Sequence, residues 1–135
     1  MNGTNTAVRT KHCLLVCTAC ASVWKDGKRE GKSGGQQFME DLSKLAKDWE
    51  FSDKFDIREV ECMSACSHSC AVSFAAVGKY TYLFGDLPAN EPESIEAVLE
   101  CAGQYYVKPD GLLPWSERPQ ALKKGVLAKI PPLGN

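Results

Sequence analysis

Five of the seven cysteines in this 135-residue chain fall into two tight groups, and that grouping constrains the chain more than any other feature. Cys17-x2-Cys20 is the first group; after forty-one intervening residues, Cys62-x3-Cys66-x3-Cys70 is the second. The count is odd, and at about 5% it lies below the roughly 8–10% of disulfide scaffolds. Residues 1–10 contain no apolar stretch of the kind that makes a secretory leader, so the expected compartment is the reducing cytoplasm. Clustered thiols there indicate metal binding or thiol chemistry rather than a disulfide framework.

The rest of the composition is that of one ordinary domain, 44% hydrophobic and 24% charged. Sixteen bases against 17 acids exclude a strongly basic nucleic-acid binder, and no apolar run is long enough to span a membrane. Charge is unevenly spread. Residues 9–33 hold six bases and two acids, residues 34–106 five and thirteen, and residues 107–135 five and two. Lys25, Lys28, Arg29 and Lys32 follow the first cysteine pair, as a solvated loop or as a docking patch for an acidic redox partner.

Hydrophobic patterning orders the elements as strand, helix, strand, strand, strand, helix. Residues 1–10 read as a polar arm. Residues 12–17 are a short apolar strand, and residues 25–35 a glycine-rich loop. Ser33 with Gln36 makes a capping box, opening a helix whose apolar stripe is Phe38, Leu42, Leu45, Ala46 and Trp49. Residues 55–60 form the next strand. Residues 71–77 and 80–84 form a hairpin around Gly78-Lys79, as a type II′ turn. A second helix is expected from Asn90 as N-cap, burying Ile95, Val98, Leu99, Ala102 and Tyr106. Residues 107–135 hold five of the seven prolines and read as an extension packing on the domain or a partner subunit through Leu122, Val126, Leu127 and Ile130.

Each cysteine group follows an expected strand. If those two strands are parallel neighbours, their carboxyl ends carry both groups to one edge of the sheet, where ligands collect in α/β folds. Thiolates converging there repel one another, and a metal removes the conflict by stabilising the thiolate form. Three chemistries fit: a 2Fe–2S cluster with two cysteines per iron, a tetrahedral zinc site, and a dithiol oxidoreductase using Cys17 and Cys20. The long loop after Cys20 is expected to keep the first helix too distant to acidify that pair, and a dithiol leaves the second group unexplained. No residue set for substrate chemistry is present, so the chain does not read as an enzyme.

The strand–CTAC–loop–helix segment, the strand–CMSAC segment, the hairpin and the closing helix resemble the thioredoxin-like 2Fe–2S ferredoxins over residues 11–106. LLVCTAC, CMSACSHSCAVSF, GKYTYLFGDL, PDGLLPWSERP and AKIPP also resemble a bacterial family of predicted metal-binding proteins. The resemblance implies an α/β thioredoxin-like sheet, a cysteine-ligated cluster, and an assembly that could include a homodimer. By position it implies Cys17, Cys20, Cys62 and Cys66 as ligands. The ferredoxins place a longer insertion between the first two ligands and a glycine-rich turn after the last, whereas here Ser67-His68-Ser69-Cys70 follows. Five cysteines thus compete for four positions, with Cys20 and Cys70 the alternatives.

Cys13 and Cys101 read as buried small hydrophobes inside a strand and a helix. His68 reads as solvated between candidate ligands, and His12 has no supporting constellation. Tyr80, Tyr82 and Phe84 read as sheet packing.

Overall fold

The computed structural model describes residues 12–18, 24–26, 28–29, 31, 33–61, 70–87 and 91–132. Its elements run β1 (His12–Cys17), β2 (Trp24–Lys25), β3 (Lys28–Arg29), α1 (Gly34–Ala46), β4 (Phe55–Val60), β5 (Val72–Ala76), β6 (Thr81–Phe84), α2 (Pro92–Val107) and β7 (Val126–Ile130). Two single-turn 3-10 helices, Trp115–Glu117 and Gln120–Leu122, precede β7.

Five strands form one mixed sheet in the order β4-β1-β5-β6-β7. The β1–β4 pairing is parallel, with Cys17 opposite Val60, and the other three pairings are antiparallel. A parallel pair cannot be closed by a tight turn, so α1 provides the crossover. The parallel adjacency on which convergence of the two cysteine groups depends is therefore present.

The capping box forms as the sequence requires: the Ser33 hydroxyl accepts from the Gln36 amide at 3.0 Å, and the Gln36 side chain accepts from the Ser33 amide at 3.0 Å. Phe38, Leu42 and Ala46 are buried, but Leu45 is 42% exposed, contrary to the apolar-stripe expectation. It borders an open groove shared with Asp41, Lys44, Pro92, Ile95 and Glu96. Trp49 packs partly buried beyond the helix end, against Phe51 and Phe55.

The second helix starts later than expected, with Glu91 as N-cap instead of Asn90 and no side-chain capping bond. Pro92 sits at the first helical position, where its fixed φ and missing N–H are tolerated, and it keeps Glu91 extended. Ile95, Val98, Leu99 and Ala102 are buried as expected; Tyr106 is only partly buried, and Tyr105 is the largest fully buried side chain. Helix α2 is enclosed on a second side by the C-terminal segment, through Leu122, so its buried surface exceeds one stripe.

The β5–β6 turn also differs. Lys79 N–H donates to the Ala76 carbonyl at 3.2 Å, which places Gly78 third in the turn with φ +79. That is the glycine position of a type II turn, not of the expected II′. The glycine-rich stretch after Cys20 contains the antiparallel β2–β3 pair, and the Asp-Gly sequence at positions 26 and 27 is a hairpin signal. The C-terminal segment supplies β7, a strand the proline content concealed. Leu122 is fully buried and Leu127 partly so, whereas Val126 and Ile130 are exposed on the edge strand. No helix among the described residues is long and apolar enough to cross a membrane.

Candidate metal centre

The carboxyl ends of β1 and β4 and the start of β5 lie side by side, because β1 pairs with both neighbours. Cys17 closes β1. Its amide donates to the Ala71 carbonyl at 3.1 Å on the β5 side, and its thiol donates to the Glu61 carbonyl at 3.8 Å on the β4 side. Glu61 immediately precedes Cys62 in the chain. Thr18 continues the parallel ladder, donating its amide to Val60 at 2.8 Å.

On the other flank Cys70 precedes β5. Its amide donates to the Leu87 carbonyl at 2.9 Å, and the Leu87 amide donates back at 3.3 Å. Cys17 and Cys70 are each 1% exposed. Burial pushes the Cys70 thiol up to about 11, and the neighbouring Cys17 adds to the rise. The Cys70 thiolate is thus disfavoured at this sheet end, a conflict of the kind that a bound cation resolves.

The segment joining Glu61 to Cys70 links strands on either side of β1, so the chain bearing Cys62 and Cys66 connects the two flanks of Cys17. Cys20, Cys62, Cys66 and His68 lie outside the described residues. Among the described residues no group of three or more histidine, cysteine, aspartate or glutamate side chains is placed to hold a metal. Of the five candidate ligands, the described structure brings together Cys17 and Cys70.

The helix expected to be remote is close. The Ser33 hydroxyl, fully buried, donates to the Thr18 carbonyl while it caps α1. A Cβ built on Gly35 would lie 2.9 Å from the Thr18 carbonyl carbon. The length of the intervening loop hid this contact, since loop length does not limit how closely its ends approach.

The other cysteines divide. Cys101 is fully buried in α2, and burial pushes its thiol up to about 12, with Arg118 pulling it back and Glu100 adding slightly. Cys13 is only half-buried, contrary to expectation, because in β1 the alternation buries His12, Leu14 and Val16 instead. His12 sits in an aromatic enclosure with Tyr106 at 4.9 Å, Phe55 at 5.4 Å and Tyr105 at 6.0 Å between ring centres. Tyr82 and Phe84 stack at 5.6 Å inside the core. Sequence reasoning missed Lys79: its buried ammonium donates to the Tyr105 and Tyr106 carbonyls at 2.9 and 2.8 Å, closing the end of α2.

The fold is similar to the solved structure of a thioredoxin-like [2Fe-2S] ferredoxin from Aquifex aeolicus, with a TM-score of 0.54 and 15% identity. The similarity covers 88% of this chain and 92% of that one. It shows that the α/β architecture is thioredoxin-like. No curated protein matches the sequence. A family described as "Protein of unknown function (DUF1636)" matches residues 14–132, and the chain belongs to that family.

Proposed function

We propose that this protein holds a cysteine-ligated 2Fe–2S cluster and serves as an electron carrier or redox sensor in the cytoplasm, not as an enzyme. The observation that carries the reading is the flanking of Cys17. Its thiol reaches the residue before Cys62 on one side, and buried Cys70 lies on the other. Cys17, Cys62 and Cys66 supply three thiolates, with the fourth from Cys20 or Cys70. The CTAC and CMSACSHSC motifs then act as the metal-binding hallmarks of the chain.

When bound, the cluster supplies the one-electron couple. The chain's part is to hold the sulfurs and to exclude water. Sheet backbone fixes Cys17 and Cys70, and the buried Leu87 beside Cys70 limits solvent access. The run Lys25, Lys28, Arg29 and Lys32 fits an acidic redox partner.

One observation favours dithiol chemistry instead, namely the packing of the α1 N-terminus on Thr18. Against it stands the 1% exposure of Cys17, because thiol–disulfide exchange requires an accessible nucleophile. Zinc satisfies the same sulfurs and is separated by colour. Protein purified without oxygen should be red-brown and hold about two iron and two sulfide per chain. Colourless protein with stoichiometric zinc, taking up no cluster on reconstitution, overturns the proposal.

A further inference from the structure

We propose that the groove between α1 and α2 is a docking site for a basic amphipathic helix of another protein. The groove shares no residue with the cysteine groups and measures about 410 Å³. Buried Ile95 forms its floor, while Leu45, 42% exposed, and exposed Pro92 give it apolar walls. Asp41, Lys44 and Glu96 complete the lining, two acids and one base.

The outer surface of α2 beside this groove has one charge sign. From Pro92 to Glu100 every exposed position except Pro92 itself is a glutamate: Glu93, Glu96 and Glu100. They stand three and four residues apart on one face, a spacing at which like charges repel and weaken the helix. The helix dipole favours Glu93 in the first turn but has faded by Glu96 and Glu100. Among the described residues none of the three forms an ion pair, and α2 contains no lysine or arginine. Folding alone gains nothing from this row, whereas a basic partner relieves its repulsion.

Shape and charge together select the occupant. A helix laid between α1 and α2 sets its apolar residues against Leu45, Pro92 and Ile95, and its lysines or arginines against Glu93, Glu96 and Glu100. A small molecule in a groove this open stays half in water, unlike one in an enclosed pocket. A second copy of this chain supplies no such helix, because α1 carries a single base, Lys44, and α2 carries none.

The test titrates full-length protein into a fluorescent leucine–lysine peptide of about 14 residues patterned with helical periodicity, and reads anisotropy at low salt. The wild type should bind it, and a peptide of the same composition in strict alternation should bind at least roughly tenfold more weakly. Glu96→Lys combined with Glu100→Lys should weaken binding roughly tenfold or more, and so should Leu45→Ser. Asp53→Lys combined with Glu59→Lys makes the same change in net charge at exposed sites elsewhere, and should stay within about twofold of wild type. Because the α2 pair removes like-charge repulsion, that variant should melt no lower than wild type, which separates lost docking from lost folding. Absence of binding, equal binding of the alternating peptide, or equal weakening by the Asp53 and Glu59 pair overturns the proposal. A wild-type dimer in sedimentation that the α2 pair dissolves overturns it too, since the occupant is then a second copy.

Discussion

Gly35 stands so close to Cys17 that any β-carbon on it would fall on the Cys17 carbonyl oxygen. The obstacle is backbone, and a strand end paired on both sides cannot yield to it. Helix α1 meets the sulfur-bearing end of β1 only because residue 35 has no side chain. Gly35→Ala should displace the first helical turn at a cost of about 1–3 kcal/mol. Urea unfolding should show that loss, together with lower metal content.

Ser33 serves two masters with one hydroxyl, accepting from Gln36 and donating to Thr18. Ser33→Ala should cost about 0.5–2 kcal/mol by the loss of the cap alone. Ser33→Asp can still cap the helix but cannot donate to Thr18. A stability equal to wild type in Ser33→Asp would show that the Thr18 bond contributes nothing.

The first helix was legible in the sequence because local signals and tertiary packing agree there. The Ser33–Gln36 box and the Phe38–Leu42–Ala46 spacing each point to the same helix. Legibility failed where the environment, not the residue, decides burial. Leu45 and Tyr106 fit an apolar stripe, yet one borders an open groove and the other gives its buried place to Tyr105. Strand β7 was hidden because the prolines around residues 126–130 resemble a linker, and pairing with β6 depends on a distant partner. The site was half legible. Strand order could bring the cysteine groups together, but the closeness of Cys70 to Cys17 and of Ser33 to Thr18 depends on hydrogen bonds that no spacing encodes.

Leu122 and Val126 should separate cleanly by burial. Leu122 is fully enclosed against α2, so Leu122→Ala should cost about 2–5 kcal/mol. Val126 is 37% exposed, and Val126→Ala should cost under about 1 kcal/mol. Similar melting temperatures for the two variants would contradict the docking of the C-terminal segment.

Cys101 makes stability depend on alkaline pH. Its folded thiol titrates near about 12, above the ordinary 9.0 of an unfolded one, so the unfolded chain loses this proton first. The neutral thiol's contribution is fully present below pH 9 and is lost as the pH rises through 9 toward about 12. Denaturation of metal-free protein between pH 8 and about 11 should fall less steeply in Cys101→Ala than in wild type. Parallel curves would show that Cys101 ionises freely in the fold.

Strand β7, at the far edge of the sheet, follows every other described element in the chain, so synthesis completes it after them. Among the described residues it pairs only with β6, and it is separated in the sheet from β1 by β5 and β6. The pairings that gather the cysteine-bearing ends need nothing beyond Leu87 in the chain. Synthesis can therefore bring the sulfurs together first and seal the hydrophobic edge afterwards, an order in which a metal could be received by a nascent chain before its fold is closed.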